Sequence, residues 1–174
     1  MEESINKLSA AGPIREAFGL KAGQLETYSP LTLAYIGDAF YELVIRTYVI
    51  EGGDAGPKVN SRRASSLAQA VTQARISRAL EDMSAANSNA AAGTERSDAE
   101  QGFLTKEELD VMRRGRNATT AHSAKHASMS EYRHATGFEA LIGYLYLAGR
   151  DERAIEIIKA GWQAADAEDI WKKK

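Results

Sequence analysis

At 174 residues, with 22 Lys and Arg against 24 Asp and Glu, the chain has the length of one domain and a near-balanced net charge of −2. It contains no cysteine, which excludes disulfides, thiol catalysis and cysteine-ligated zinc and fits a reducing compartment. The opening "MEESINKLSA" has no apolar leader segment, and the longest uncharged apolar run, Ala140 to Ala148, is too short for a bilayer, so a cytoplasmic protein with no membrane partner is expected.

Apolar spacing is helical throughout, without a period-two strand, and predicts an all-α, single-domain helical bundle. Residues 1–27 read as an N-terminal extension. Ser29-Pro30 reads as an N-cap followed by a first-turn proline, opening a long helix to about Ile50. "EGGDAGP" (51–57) ends it. Residues 58–83 make one or two helices, with Leu67, Ala70, Val71, Ala74 and Ile76 as inward positions. The stretch 84–102 is rich in Ala, Ser, Asn and Gly and reads as a flexible surface insertion. Thr105 and Glu108 form a capping box for a helix to about Gly115, followed by a polar loop over 117–130. A second strongly apolar helix, about 131–148, stops at Gly149. Asp151 then caps a last helix to about Ala167, and 169–174 is a tail. Trp162 and Trp171 carry no visible function.

Charge is unevenly distributed. Ala55 to Leu80 contains no acid but holds Lys58, Arg62, Arg63, Arg75 and Arg78. Arg113 to His134 holds five Lys or Arg, all three histidines and one acid, Glu131. Two such segments fit either solvated helix faces or phosphate contacts.

Each apolar helix carries a carboxylate in its body. "LTLAYIGDAFYELVIR" (31–46) contains Asp38, and "HATGFEALIGYLYLAG" (134–149) contains only Glu139. Small residues flank both, Gly37 and Ala39 beside Asp38, Ala140 and Gly143 near Glu139, so close helix approach would let the two acids meet. Carboxylates brought together repel, and a divalent cation such as Mg²⁺, which takes oxygen ligands, removes the conflict. A purely structural reading stands beside this one: Asp38 caps a neighbouring helix, or Glu139 pairs with His134 or Arg133. Glu42 reads as the i,i+4 partner of Arg46 rather than as a contributor to the site. Tyr35 shares a face with Asp38 and is expected in the core. His122, His126 and His134 lie in or beside a loop and are not expected to bind metal.

"YIGDAFYE" (35–42), followed about a hundred residues later by "FEALIGYLYL" (138–147), resembles the paired signature of the ribonuclease III catalytic domain. "RRGRNA" (113–118) and "KVNSRRASSLAQAVTQA" (58–74) resemble the basic loop and basic helix of its short form, Mini-ribonuclease III, which lacks a separate double-stranded-RNA-binding domain. The likeness covers roughly 28–168. It implies a ribonuclease III-type helical bundle and a homodimeric endoribonuclease. Such an enzyme hydrolyses double-stranded RNA with Mg²⁺ or Mn²⁺, leaves 5′-phosphate and 3′-hydroxyl ends, and matures precursor 23S ribosomal RNA, with help from a large-subunit ribosomal protein left open. It places Asp38 and Glu139 as catalytic metal ligands. Ala34 and Thr136 stand where larger family members have further acids, which leaves open one metal ion or two. RNA phosphates are then expected at Lys58, Arg62, Arg63, Arg113, Arg114, Arg116 and Asn117. A non-catalytic double-stranded-RNA-binding homodimer is the competing reading, and a helical interaction protein with structural core acids is a third.

Overall fold

The computed structural model describes residues 9–90, 102–118 and 128–167. Among them are seven α-helices and no strand: α1 (Ala11–Ala17), α2 (Pro30–Glu51), α3 (Pro57–Ala68), α4 (Ala70–Ala90), α5 (Lys106–Asn117), α6 (Met129–Leu147) and α7 (Asp151–Ala164), with a 3₁₀ turn at Leu25–Thr27. Of the expected insertion, residues 84–90 instead continue α4, and Ser84 is buried, accepting from the Leu104 amide at 3.2 Å. Alanine is the strongest helix former, so a run poor in large apolar residues still extends a helix already nucleated. Residues 91–101 of that stretch, and most of the polar loop expected over 117–130, lie outside the described residues, as do His122, His126 and Trp171.

The caps decide where the helices begin. Ser29 Oγ accepts from the Thr32 amide at 3.0 Å, with Pro30 in the first turn of α2. Both α5 and α6 open with complete capping boxes, Thr105 with Glu108 and Ser128 with Glu131. Between α2 and α3 the chain turns through Gly53 and Gly56, both at positive φ, where a side chain would be strained. That turn is tied down by Asp54, which accepts from the Gly56 amide and the Asn60 carboxamide, and by Arg63, which donates to the Gly53 carbonyl at 2.8 Å. Arg63, expected at RNA, thus also holds the loop before its own helix.

Helix α6 is the centre of the bundle. It packs along α2, α5 and α4, and every residue from Ala140 to Tyr146 is buried. A helix apolar all round must be enclosed by others. Tyr41 of α2 ties the layers together: its hydroxyl donates to the Leu67 carbonyl at 3.2 Å and accepts from Trp162 Nε1 at 3.0 Å, and its ring meets Phe138 edge-on at 5.1 Å. Trp162 therefore anchors α7 to α2. Glu108 is fully buried yet satisfied, bound by Arg153 through two oxygens and by Arg150.

Two expectations are corrected at the ends and faces of the helices. Asp151 does not cap α7; its carboxylate accepts from Ser9 Oγ at 2.9 Å and the Ala10 amide at 3.0 Å, fastening the N-terminal segment to the bundle. Val71 is exposed, whereas Leu67, Ala74 and Ile76 are buried as expected. The stretch divides into two helices at Gln69, whose extended backbone (ψ 140°) resets the phase of the buried face.

Candidate active site at a glycine crossing

Helices α2 and α6 approach so closely that their glycines are obligatory. A Cβ on Gly37 would overlap the Glu139 carbonyl and lie 2.7 Å from the Gly143 nitrogen. A Cβ on Gly143 would overlap the Leu33 carbonyl and lie 2.9 Å from the Gly37 nitrogen. The neighbours of these glycines, Asp38 and Glu139, are thereby brought to one place from opposite helices. A second crossing of the same kind seats α5 on α6: a Cβ on Gly115 would come within 2.8 Å of the Gly137 Cα. This is the reason for the glycine in "RRGRNA".

The two acids act on each other electrostatically across the crossing. Burial is the main cause raising the Glu139 pKa to about 8, and the Asp38 charge adds to it. Asp38, open to solvent on one side, is also raised, first by desolvation and then by the neighbouring Glu42 charge. Neither acid has an ion-pair partner among the described residues. His134 does not serve Glu139; its Nδ1 faces Ser77 at 3.4 Å and Glu81 at 4.0 Å, and desolvation lowers its pKa. Glu42 pairs with Arg46 at 2.6 Å, as the spacing implied. Tyr35, expected in the core, is 83% exposed; the buried stripe of α2 runs instead through Leu33, Ala34, Gly37, Tyr41, Ile45 and Val49. Ala34 is buried, and the Thr136 hydroxyl donates to its own helix at the Tyr132 carbonyl, so neither adds a ligand.

One polar group at the crossing escaped the sequence reading. The carboxamide of Gln73, in the first turn of α4, reaches both carboxylates and lowers the pKa of each. It is almost wholly buried, and its Oε1 has no hydrogen-bond partner among the described residues. Two mutually repelling carboxylates make an oxygen donor pair whose chemistry fits a hard divalent cation. No group of three His, Cys, Asp or Glu side chains converges among the described residues.

The basic candidates are dispersed in their present engagements. Lys58 and Arg62 are exposed on α3, and Arg114 and Asn117 on α5. Arg113 pairs with Asp110 at 2.8 Å on the surface. Arg116 pairs with Glu81 at 2.9 Å, partly buried, and so links α5 to α4. A cleft of about 540 Å³ lined by Glu26, Lys106, Asp110, Arg114 and Tyr144 contains neither Asp38 nor Glu139. Asp38 is exposed and Glu139 half-buried.

The profile of the Ribonuclease III domain matches residues 31–150, a span that holds both carboxylates and runs from the first turn of α2 through the end of α6. The chain belongs to the ribonuclease III family, in its Mini-ribonuclease 3 branch, and is an endoribonuclease. It is similar to Mini-ribonuclease 3 of Brevibacillus brevis, with 37% identity over 80% of this chain and 90% of the relative. It shares 42% identity with that of Symbiobacterium thermophilum over 77% and 88%. A crystal structure of a Fusobacterium nucleatum protein superposes with a TM-score of 0.58 at 27% identity, covering 76% of this chain and 90% of that one. Divalent-metal dependence is general in this family. No helix among the described residues is long and apolar enough to cross a membrane.

Proposed function

We propose that Asp38 and Glu139 hold a divalent cation, Mg²⁺ or Mn²⁺, with which the protein hydrolyses phosphodiesters in double-stranded RNA, leaving 5′-phosphate and 3′-hydroxyl ends. The observation that carries this reading is the Gly37–Gly143 crossing, which brings two unpaired carboxylates together. When bound, the cation acidifies an attacking water and offsets the charge of the phosphate. Glu139, the more buried, is the anchoring ligand, and it gives up a proton on binding because its pKa stands near 8 without metal. Asp38, the more exposed, faces the incoming phosphate and orients the water.

The substrate is an A-form duplex read by shape, with precursor 23S ribosomal RNA as its natural source in the cytoplasm. A homodimer supplies two such sites. Its support is the outward stripe of α2, where Leu31, Tyr35, Leu43 and Ile50 are all exposed at near i,i+4 spacing around Ala39. Apolar stripes of this extent mark interfaces. Lys58, Arg62, Arg63, Arg113, Arg114, Arg116 and Asn117 are the proposed RNA contacts, and a large-subunit ribosomal protein is a further proposed partner.

Among these contacts the exposed cations Lys58, Arg62 and Arg114 are committed to no ion pair among the described residues, so they test the face without disturbing the fold. Replacing all three with Ala lowers the slope of log affinity against log salt by roughly one per cation lost, about three in total. Filter binding of a plain RNA duplex between low and moderate salt, with Asp38→Asn as background to prevent cleavage, measures it. An unchanged slope moves the RNA to another face.

A further inference from the structure

The last turn of α5 carries a cation that is held from one side only. Arg116 makes one hydrogen bond among the described residues, from Nη1 to Glu81 Oε1 of α4 at 2.9 Å. Its base is fixed by close helix packing: a Cβ on Gly137 of α6 would lie 3.3 Å from the Arg116 nitrogen and 3.4 Å from its Cβ. The second Glu81 oxygen stands 4.0 Å from His134 Nδ1, which Ser77 Oγ faces at 3.4 Å. The α4 carboxylate thus bridges α5 and α6. The pair is not sealed from solvent, with the Arg116 side chain 34% exposed and that of Glu81 30%. His134 precedes Glu139 on α6 by little more than one turn, roughly 7–8 Å of axial rise, so the pair stands beside the carboxylate site.

A guanidinium carries five N–H groups in a planar fork. One bond through Nη1 leaves Nε and Nη2, a complete edge of the Arg116 fork, without a protein partner among the described residues. Such an edge matches two oxygens of a phosphate. A free arginine loses side-chain entropy when a phosphate orders it, and one already held loses less. An acid on a face that binds RNA otherwise only repels it.

We infer that Glu81 is a positioning residue for RNA binding: it holds the Arg116 guanidinium through Nη1 and so presents the Nε–Nη2 edge to a phosphate of the duplex. The inference rests on the reading of Arg116 as an RNA contact and deepens it. It also accounts for a carboxylate within a basic face.

The test is the affinity of full-length variants for a plain RNA duplex, measured by filter binding in the Asp38→Asn parent below every melting temperature. Glu81→Ala should weaken binding about three- to tenfold, although it removes a negative charge from the RNA face. Glu81→Gln keeps an oxygen for Nη1 and should bind at least as tightly as the parent. With Arg116→Ala already present, Glu81→Ala should bring no further loss. Glu81→Ala at or above parental affinity overturns the inference, and so does an equal loss in the Arg116→Ala background, since Glu81 would then act elsewhere. Arg116→Ala separates these results from failure of the contact itself. It should weaken binding and lower the slope of log affinity against log salt by about one. Parental affinity and slope in Arg116→Ala would overturn the contact and the inference together. Should Glu81→Ala fail to fold, Arg116→Lys decides. Lysine keeps the charge but lacks a fork that serves carboxylate and phosphate at once, so affinity should fall about threefold or more; parental affinity contradicts the inference.

Discussion

Asp38→Asn and Glu139→Gln should each lower the rate of duplex cleavage on the order of a thousandfold or more. Loss of a partner one shell removed from a metal already costs about 10–100-fold, and these are the ligands themselves. Both variants should retain helix content and RNA binding, because among the described residues neither side chain has an ion pair or a hydrogen bond to the backbone that the fold depends on. Glu139→Gln carries a second expected result of opposite sign. The folded-state pKa of Glu139, about 8, lies above its unfolded value near 4.5, and burial is the chief reason. The folded state therefore binds the proton more tightly, and without metal the protein loses stability as pH rises from the unfolded pKa through the folded one. The variant, with no proton to lose there, should melt higher than the wild type in chelator at pH 8.5. The gap corresponds to about 1–2 kcal/mol, allowing for water at the open side, or roughly 2–8 °C. It should close toward pH 5. Calorimetry in chelator at the two pH values, with a labelled-duplex assay beside it, checks both parts. A variant that cuts at near wild-type rate removes the residue from the site; a variant that is inactive and also unstable at high pH returns Glu139 to a structural role.

The second large effect belongs to the glycines. Gly37→Ala and Gly143→Ala each place a methyl group on a backbone carbonyl of the facing helix, Glu139 in one case and Leu33 in the other. Backbone cannot step aside as the end of a side chain can, so α2 and α6 must separate. Overpacking of flexible cores costs about 1–3 kcal/mol, and a clash on backbone belongs at or beyond the upper end. A fall of roughly 6–12 °C in melting temperature is expected for 3 kcal/mol in a chain of this length. Activity should fall further than stability: separating the helices moves Asp38 from Glu139, and a displacement of about 1 Å is worth on the order of 100-fold. Thermal melts and cleavage rates measured below the lowered melting temperature separate the two losses. Gly143→Ala with wild-type stability would show that the crossing is looser than it stands.

Much of this was legible in the residues. Ser29-Pro30 and the Thr105–Glu108 box mark helix starts through local chemistry, which needs no tertiary information. The small residues around Asp38 and Glu139 signalled a close crossing because only glycine permits one. What could not be read depended on contacts between distant parts of the chain. Asp151 looks like the cap of its own helix until Ser9, 142 residues earlier, is seen to bind it. Tyr35 shares a helical face with Asp38, but periodicity cannot say whether that face meets core or solvent; α2 is apolar on both sides, so the pattern was ambiguous. Gln73 was invisible for a different reason. A neutral amide in an Ala-, Ser- and Gln-rich run gives no charge signal, and its oxygen becomes conspicuous only when burial leaves it unpaired. Arg116 was read as a phosphate contact from its charge alone, whereas Glu81, 35 residues away, already holds it.

The central claim is that each protomer holds one Asp38–Glu139 site and cuts one strand, so that a two-fold dimer matches the symmetry of an RNA duplex. A mixed dimer of one wild-type and one Asp38→Asn chain, purified through two different tags and given a duplex labelled on each strand in turn, tests this most directly. Within a single binding event, one strand should be nicked and the other left whole, with equal preference for either strand across the population. Cleavage of both strands in that event, or of neither, would contradict two independent sites.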